Sequence, residues 1–344
     1  MKEQDSLLKV NFIKKIFIKI CRILGYEIID QTSFYIPTQN KNLNENLNIQ
    51  GKKSINLPLG ETKITRKIIS LTIILRSCTN SILLQQNKQR LFGRGKSEYT
   101  FRTLNSLIKS LNEANNSFPN IKFELIIIDN SKKKDDVEQM KKQLKKLNLK
   151  NSFISLDVNE VTDNIKKINA KNQNISENTI SNMSKIYKSY ITAKNQCEDL
   201  VYFVEDDYLH QKNAITEMIY AYERISSQTK RELVLCPSDY PYLYTKINPT
   251  HIFLGSNKHW RIVDETLCTF LTSKLMLEKH WNKFLSMCQF EHFPFEQPLH
   301  DIYKSEYCLS PIPSLALHCT NVNSIYGLSP NMDWKQIWEE NKEY

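Results

Sequence analysis

From residue 67 onward, short apolar runs alternate with stretches of helical period, the pattern of an α/β domain. IISLTIIL (68–75) reads as a buried strand, and FRTLNSLIKSLNEA (101–114) as a helix with Phe101, Leu104, Ile108 and Leu111 on one face. FELIIID (123–129) is a second strand, followed by a charged helix over 134–147. The stretch 151–178 is polar and favours no element. A helix over 179–196, with Ile180, Met183, Tyr187 and Tyr190 on one face, leads into a further strand, Leu200 to Val204. Beyond it the pattern predicts a helix at 211–226, strands at 232–236 and 265–272, and helices at 274–287 and 295–305, with no internal repeat.

The N-terminal part is different. Segment 7–28 alternates apolar residues with Lys9, Lys14, Lys15, Lys19 and Arg22 and reaches Gly25, a helix stop. It predicts a basic amphipathic helix, either lying on an anionic membrane surface or packed on the main domain. Residues 37–66 are rich in Asn, Lys, Gln, Pro and Gly without a period. The expected division is a helical extension (1–36), a linker (37–66) and one large domain (67–344).

Composition narrows the function classes. The 344 residues carry 47 Lys plus Arg against 37 Asp plus Glu, a net charge of +10 that favours an anionic partner. The charge is spread along the chain, with no basic helix interleaved with base-stacking aromatics and no zinc-finger spacing, so nucleic acid is not the expected partner. Eight cysteines (21, 78, 197, 236, 268, 288, 308, 319) contain no CxxC pair, and several sit in apolar runs, as buried reduced thiols of a cytosolic protein do. No stretch approaches the roughly 20 apolar residues of a membrane span, and acidic residues and lysines break up the N-terminus as a signal peptide. The expected location is cytoplasmic, with peripheral contact at the inner face of the membrane.

Three strand ends carry polar clusters: Leu75-Arg76-Ser77, Ile128-Asp129-Asn130-Ser131 and Glu205-Asp206-Asp207. In open α/β sheets ligands bind beyond such ends. An Arg, an Asp and a carboxylate cluster there suit a phosphate, a ribose and a divalent metal (Mn2+ or Mg2+). The three adjacent acids repel one another unless a positive charge intervenes, and a hard cation supplies one. The alternative is a solvated loop of acids.

VYFVEDDYL resembles the metal-binding motif, commonly written DxD, of GT-A-type glycosyltransferases, and IIIDNS resembles the second-strand Asp that holds the nucleotide in family 2 members. The resemblance spans roughly residues 67–320 and implies a GT-A, Rossmann-like fold: a mixed, mostly parallel sheet flanked by helices. It further implies a nucleotide-sugar donor, a glycan or lipid-linked acceptor, and transfer with inversion. Glu205 or Asp206 would lie near the donor ribose, Asp207 would bind the metal and Asp129 would face the nucleoside. His318, in PSLALHCT, resembles the C-terminal histidine of the metal shell, and a satisfied core histidine is its other reading. FEQPLHDIY (295–303) occupies the place that supplies the catalytic base, for which Glu296 and Asp301 are the candidates. The chain has Asp-Asn-Ser where Asp-Gly-Ser is usual, and a longer stretch between Asp129 and Glu205.

Trp260 and Arg261, in NKHWRIVDE, and Asp239, in SDYPYLY, are candidates for acceptor contact, against a core Trp and a plain tyrosine-rich loop. GRGKS (93–97) ends like a phosphate-cradling loop but has Arg90 where the first glycine belongs. His292 and His300 have no ligand partner at zinc spacing. The competing readings are a nucleotidyltransferase, which needs a glycine-rich basic loop after the first strand, and a non-catalytic carbohydrate-binding or scaffold protein.

Overall fold

The computed structural model describes residues 2–26, 63–80, 90–245, 247 and 249–342, and divides into two units, Met1–Lys63 and Ile64–Tyr344. In the first unit, helix α1 (Lys2–Ile23) stops at Gly25, whose φ of +82° is one that glycine adopts freely. Phe12, Ile13, Ile16, Phe17, Ile20 and Ile23 are exposed along it. Most of the expected linker, 27–62, lies outside the described residues. No described helix is long and apolar enough to cross a membrane.

The second unit is built on nine strands: β1 (Ser70–Ser77), β2 (Lys122–Asp129), β3 (Lys150–Ser155), β4 (Leu200–Glu205), β6 (Leu233–Leu235), β7 (Ile252–Leu254), β8 (His259–Ile262), β9 (Phe270–Ser273) and β10 (Tyr307–Ile312). Their order is β3-β2-β1-β4-β9-β6-β10-β8-β7. Only β8 and β9 run against the rest, so the sheet is mixed and mostly parallel. Two further strands, β5 (Tyr208–His210) and β11 (Ala316–His318), form a separate antiparallel pair at the end of β4.

Strand alternation sends successive residues to opposite faces, and each face is covered by helices. Leu71, Ile73 and Leu75 pack on α2 (Lys96–Ser117), α3 (Lys134–Leu144) and α5 (Ala214–Thr229). Ile74, Ile126, Ile128, Val201 and Phe203 pack on α4 (Glu177–Gln196), α6 (Lys274–Lys279), α7 (Trp281–Gln289) and α8 (Gln297–Tyr303). A smaller cluster under the β5–β11 pair is closed by α9 (Trp334–Glu340), whose Trp338 lies under the Arg102 guanidinium, 4.0 Å from the ring centre.

The fold class agrees with the sequence reading, and the differences have local causes. Strand β1 begins at Ser70 rather than 68 because the Ile68 and Ile69 amides donate to the carboxylates of Glu223 and Asp199 instead of to a strand. The predicted helix 274–287 is two helices, broken at His280 (φ −110°, ψ 24°). The unassigned stretch after 150 begins with β3, a polar edge strand that pairs only with β2. All eight cysteines are free, seven of them buried.

Candidate functional site

Beyond the carboxyl ends of β1 and β4 lies an open cavity of about 1570 Å³. Of the residues singled out in the sequence, Arg76, Glu205, Asp206, Asp207, Glu296 and His318 line it. Register brings the first of these together: Arg76 stands beside Glu205 across the parallel β1–β4 pair. The Arg76 side chain is buried, one terminal nitrogen donates to the Cys268 carbonyl at 2.6 Å, and Nη1 has no hydrogen-bond partner among the described residues.

The three consecutive acids have three different environments. Burial pushes the Glu205 carboxyl above its ordinary range, an effect opposed chiefly by Arg76. Asp206 turns toward α2: its Oδ2 accepts from the Cys78 amide (3.0 Å) and the Thr100 hydroxyl (2.8 Å), and its Oδ1 from Lys96 Nζ (2.5 Å). Both of its oxygens are thus engaged by the protein. Asp207 accepts from the Thr320 hydroxyl at 2.6 Å, and against the cost of burial Lys96 and His318 hold its carboxyl down at about 2.

His318 is delivered by the β5–β11 ladder, in which it faces Tyr208, the residue after Asp207; the two rings stack at 4.6 Å. Its Nδ1 meets the Tyr326 carbonyl at 3.3 Å, and since a carbonyl only accepts, this contact places a proton on Nδ1. Nε2 is 3.8 Å from Asp207 Oδ2, beyond hydrogen-bond range. Two donors each about 2.1 Å from a common cation can stand up to about 4.2 Å apart, so this pair fits a hard divalent ion completed by ligand oxygens and water. The imidazole held through its other nitrogen is the usual support for such a ligand. Among the described residues no group of three or more His, Cys, Asp or Glu side chains is placed to hold a metal.

Glu296 stands at the start of α8, where its Oε1 faces the Cys268 thiol at 3.7 Å. Burial, then Glu296 and Glu205, keep that thiol protonated far above its ordinary range. The other expected residues lie away from the cavity wall. Asp129 is buried in its own turn, accepting from Ser77 Oγ, Ser131 Oγ and the Ser131 amide; its neighbour Asn130 reaches the wall instead. Asp301 is paired with Lys304 and Gln297 on the outer side of α8. Asp239 is buried against Arg261 and Tyr244. Trp260 is fully buried, its Nε1 donating to Glu217, which also receives the Ser256 and Asn257 amides. These placements give Trp260 and Asp239 core positions, because their polar atoms are already satisfied inside the domain.

Lys96, Lys185 and Cys268 are wall residues that the sequence reading missed. The signal for Lys96 was GRGKS: it is no phosphate loop, but Gly95 precedes α2 and Lys96 opens it, aimed at the acids.

No protein-family model matches the chain, and no curated protein matches it. Solved structures give broad superpositions. S. aureus TarS (1-349) superposes with a TM-score of 0.38 and 14% identity, over 70% of this chain, which spans 58% of that one. A UDP-glucose pyrophosphorylase complexed with UDP-glucose gives 0.39 at 7% identity over 80% and 97% of the two chains. Mouse xyloside xylosyltransferase 1 gives 0.35 at 12% identity over 69% and 77%.

Proposed function

We propose that the chain is a metal-dependent glycosyltransferase of the GT-A type, moving a sugar from a nucleotide-diphosphate donor to an acceptor hydroxyl, in glycan or surface-polysaccharide synthesis. The observation that carries this is the meeting of Arg76, Glu205, Asp206, Asp207, Glu296 and His318 on one cavity at the carboxyl ends of parallel strands.

In this reading Asp207 and His318 hold the divalent metal, Mn2+ or Mg2+, which when bound offsets negative charge on the departing nucleoside diphosphate. Arg76, with a buried donor to spare, contacts the donor's phosphates. Glu205 sits beside it at the donor. Asp206 fixes the loop after β1 and the start of α2, so its contribution is to position the wall. Glu296 accepts the proton of the attacking hydroxyl, which suits an inverting transfer by a single carboxylate. The acceptor is a glycan or lipid-linked sugar, and α1, apolar on one face and basic on the other, rests on an anionic inner membrane surface and keeps the cytoplasmic enzyme near it.

The deciding experiment is hydrolysis of a nucleotide-sugar panel by the purified protein with Mn2+. Turnover of at least one donor, lost in Asp207→Asn and in EDTA, is expected. Failure to hydrolyse or bind any donor, with Asp207→Asn indistinguishable from wild type, would overturn the assignment.

A further inference from the structure

Burying a charged group is costly unless it is paired, so a buried cation without a protein partner points to a missing anion. The cavity wall holds one such cation and, on the same side, an arginine with a donor to spare. Lys185, on α4, is 8% exposed, lines the cavity, and makes no hydrogen bond or ion pair with the described residues. Arg76 is 3% exposed; its Nη2 donates to the Cys268 carbonyl and its charge acts on Glu205, while its Nη1 has no partner among the described residues.

The two belong to one region. Ile74 packs against α4 through Ile186 and Tyr190, and alternation carries Arg76 toward that same face. Lys185 and Cys78 line the same cavity, and Lys185 is the strongest influence opposing the rise that burial imposes on that thiol. Lys96 is different, since its charge is matched by Asp206. Asp207 and His318 sit at the other end of the acid triplet, where the β5–β11 ladder begins.

We infer that Lys185 and Arg76 form a direct anchor for an anionic group, phosphoryl or carboxylate, that binds without the metal and apart from the Asp207–His318 pair. The inference rests on the reading of this cavity as the donor site. It adds that part of the donor's charge is met by the chain's own cations, so donor affinity divides into a metal-dependent and a metal-independent share.

The test is calorimetric titration of the full chain in EDTA with UDP, inorganic pyrophosphate, glucuronate and uridine, repeated with Mn2+. The wild type should bind UDP and pyrophosphate in EDTA. Lys185→Met, which keeps the aliphatic stem, should weaken both at least tenfold and leave uridine unchanged, while Lys185→Arg retains most of the affinity. Asp207→Asn should bind as wild type in EDTA but lose the gain from Mn2+. Binding of glucuronate with the same Lys185 dependence, in place of pyrophosphate, assigns the anchor to a sugar carboxylate. Matched thermal unfolding of the variants excludes loss of fold. Pyrophosphate and UDP binding that needs Mn2+ and ignores Lys185→Met would overturn the anchor alone. No binding of any nucleotide, with or without Mn2+, would overturn the donor-site reading with it.

Discussion

Replacing Asp206 with alanine should unfold the domain at markedly lower temperature, whereas Asp207→Asn should lower it less. The Asp206 carboxylate joins three elements: the loop after β1 through the Cys78 amide, α2 through Thr100 and Lys96, and the end of β4 on which it stands. Its pair with Lys96 is almost closed to solvent, at 9% and 8% side-chain exposure. Removing one partner of a buried pair strands the other and costs about 3–5 kcal/mol. At about 2–3 °C per kcal/mol for a domain of this size, the midpoint should fall by roughly 10 °C. The companion variant Lys96→Met tests the cause, because the double variant removes the stranded ammonium and should recover about 1–3 kcal/mol of the loss. Urea and thermal unfolding of the four proteins of this cycle give both numbers. A single Asp206→Ala variant within about 0.5 kcal/mol of wild type would refute the structural role, as would a double variant showing no recovery.

Three further outcomes are expected. Glu296→Gln should lower turnover by about 10²–10⁴-fold while UDP affinity stays within a factor of two, as loss of a general base predicts; an unchanged rate would remove Glu296 from the mechanism. Burial holds the His210 imidazole down at about 3, paired with the Tyr202 hydroxyl at 2.6 Å, so between the unfolded value near 6.5 and that point only the unfolded chain takes the proton. Stability from this group is therefore full above about pH 6.5 and falls as the pH drops toward 3, by up to about 1.4 kcal/mol per pH unit; in chemical denaturation across that range His210→Gln should gain on wild type, and parallel curves would contradict this. Deleting residues 1–30 should release the protein from anionic vesicles in a flotation assay, with less effect on neutral ones; undiminished vesicle binding would assign α1 a structural role instead.

What could be read from the sequence follows burial contrast. Strands β1, β2 and β4 are central and buried on both faces, so they stand out as unbroken apolar runs. Strand β3 shows only half an apolar face, since it pairs on one side and is mostly exposed, and its Asn151 and Ser152 look like loop. The short strands β5 and β11 have three residues each, too few for a period, yet they carry His318 to Asp207. Chemistry showed the same pattern. Carboxylates at strand ends and a late histidine are conspicuous in any chain. Lys96 and Lys185 were hidden among 47 basic residues, and only burial separates them from the solvated lysines. Asp301 was a reasonable second candidate to Glu296, but the turn of α8 carries it to Lys304 and solvent.

The run of three acids after β4 raises the question of how their repulsion is met, and the structure divides the answer among elements. Glu205 is answered by Arg76 from the adjacent strand, and Asp206 by Lys96 from α2. Asp207 is left with Thr320, the more distant field of Lys96, and an imidazole nitrogen too far away to bond. A metal is therefore not required to make the triplet tolerable as a whole, which weakens any argument from repulsion alone. It is favoured at one position only, where a carboxylate held ionised faces a ring nitrogen across a gap that a cation would fit. Charge compensation by protein side chains and charge completion by ligands are thus separable in this cavity, and substitutions at adjacent residues should report on them independently: Asp206 through unfolding, Asp207 through metal-dependent nucleotide binding.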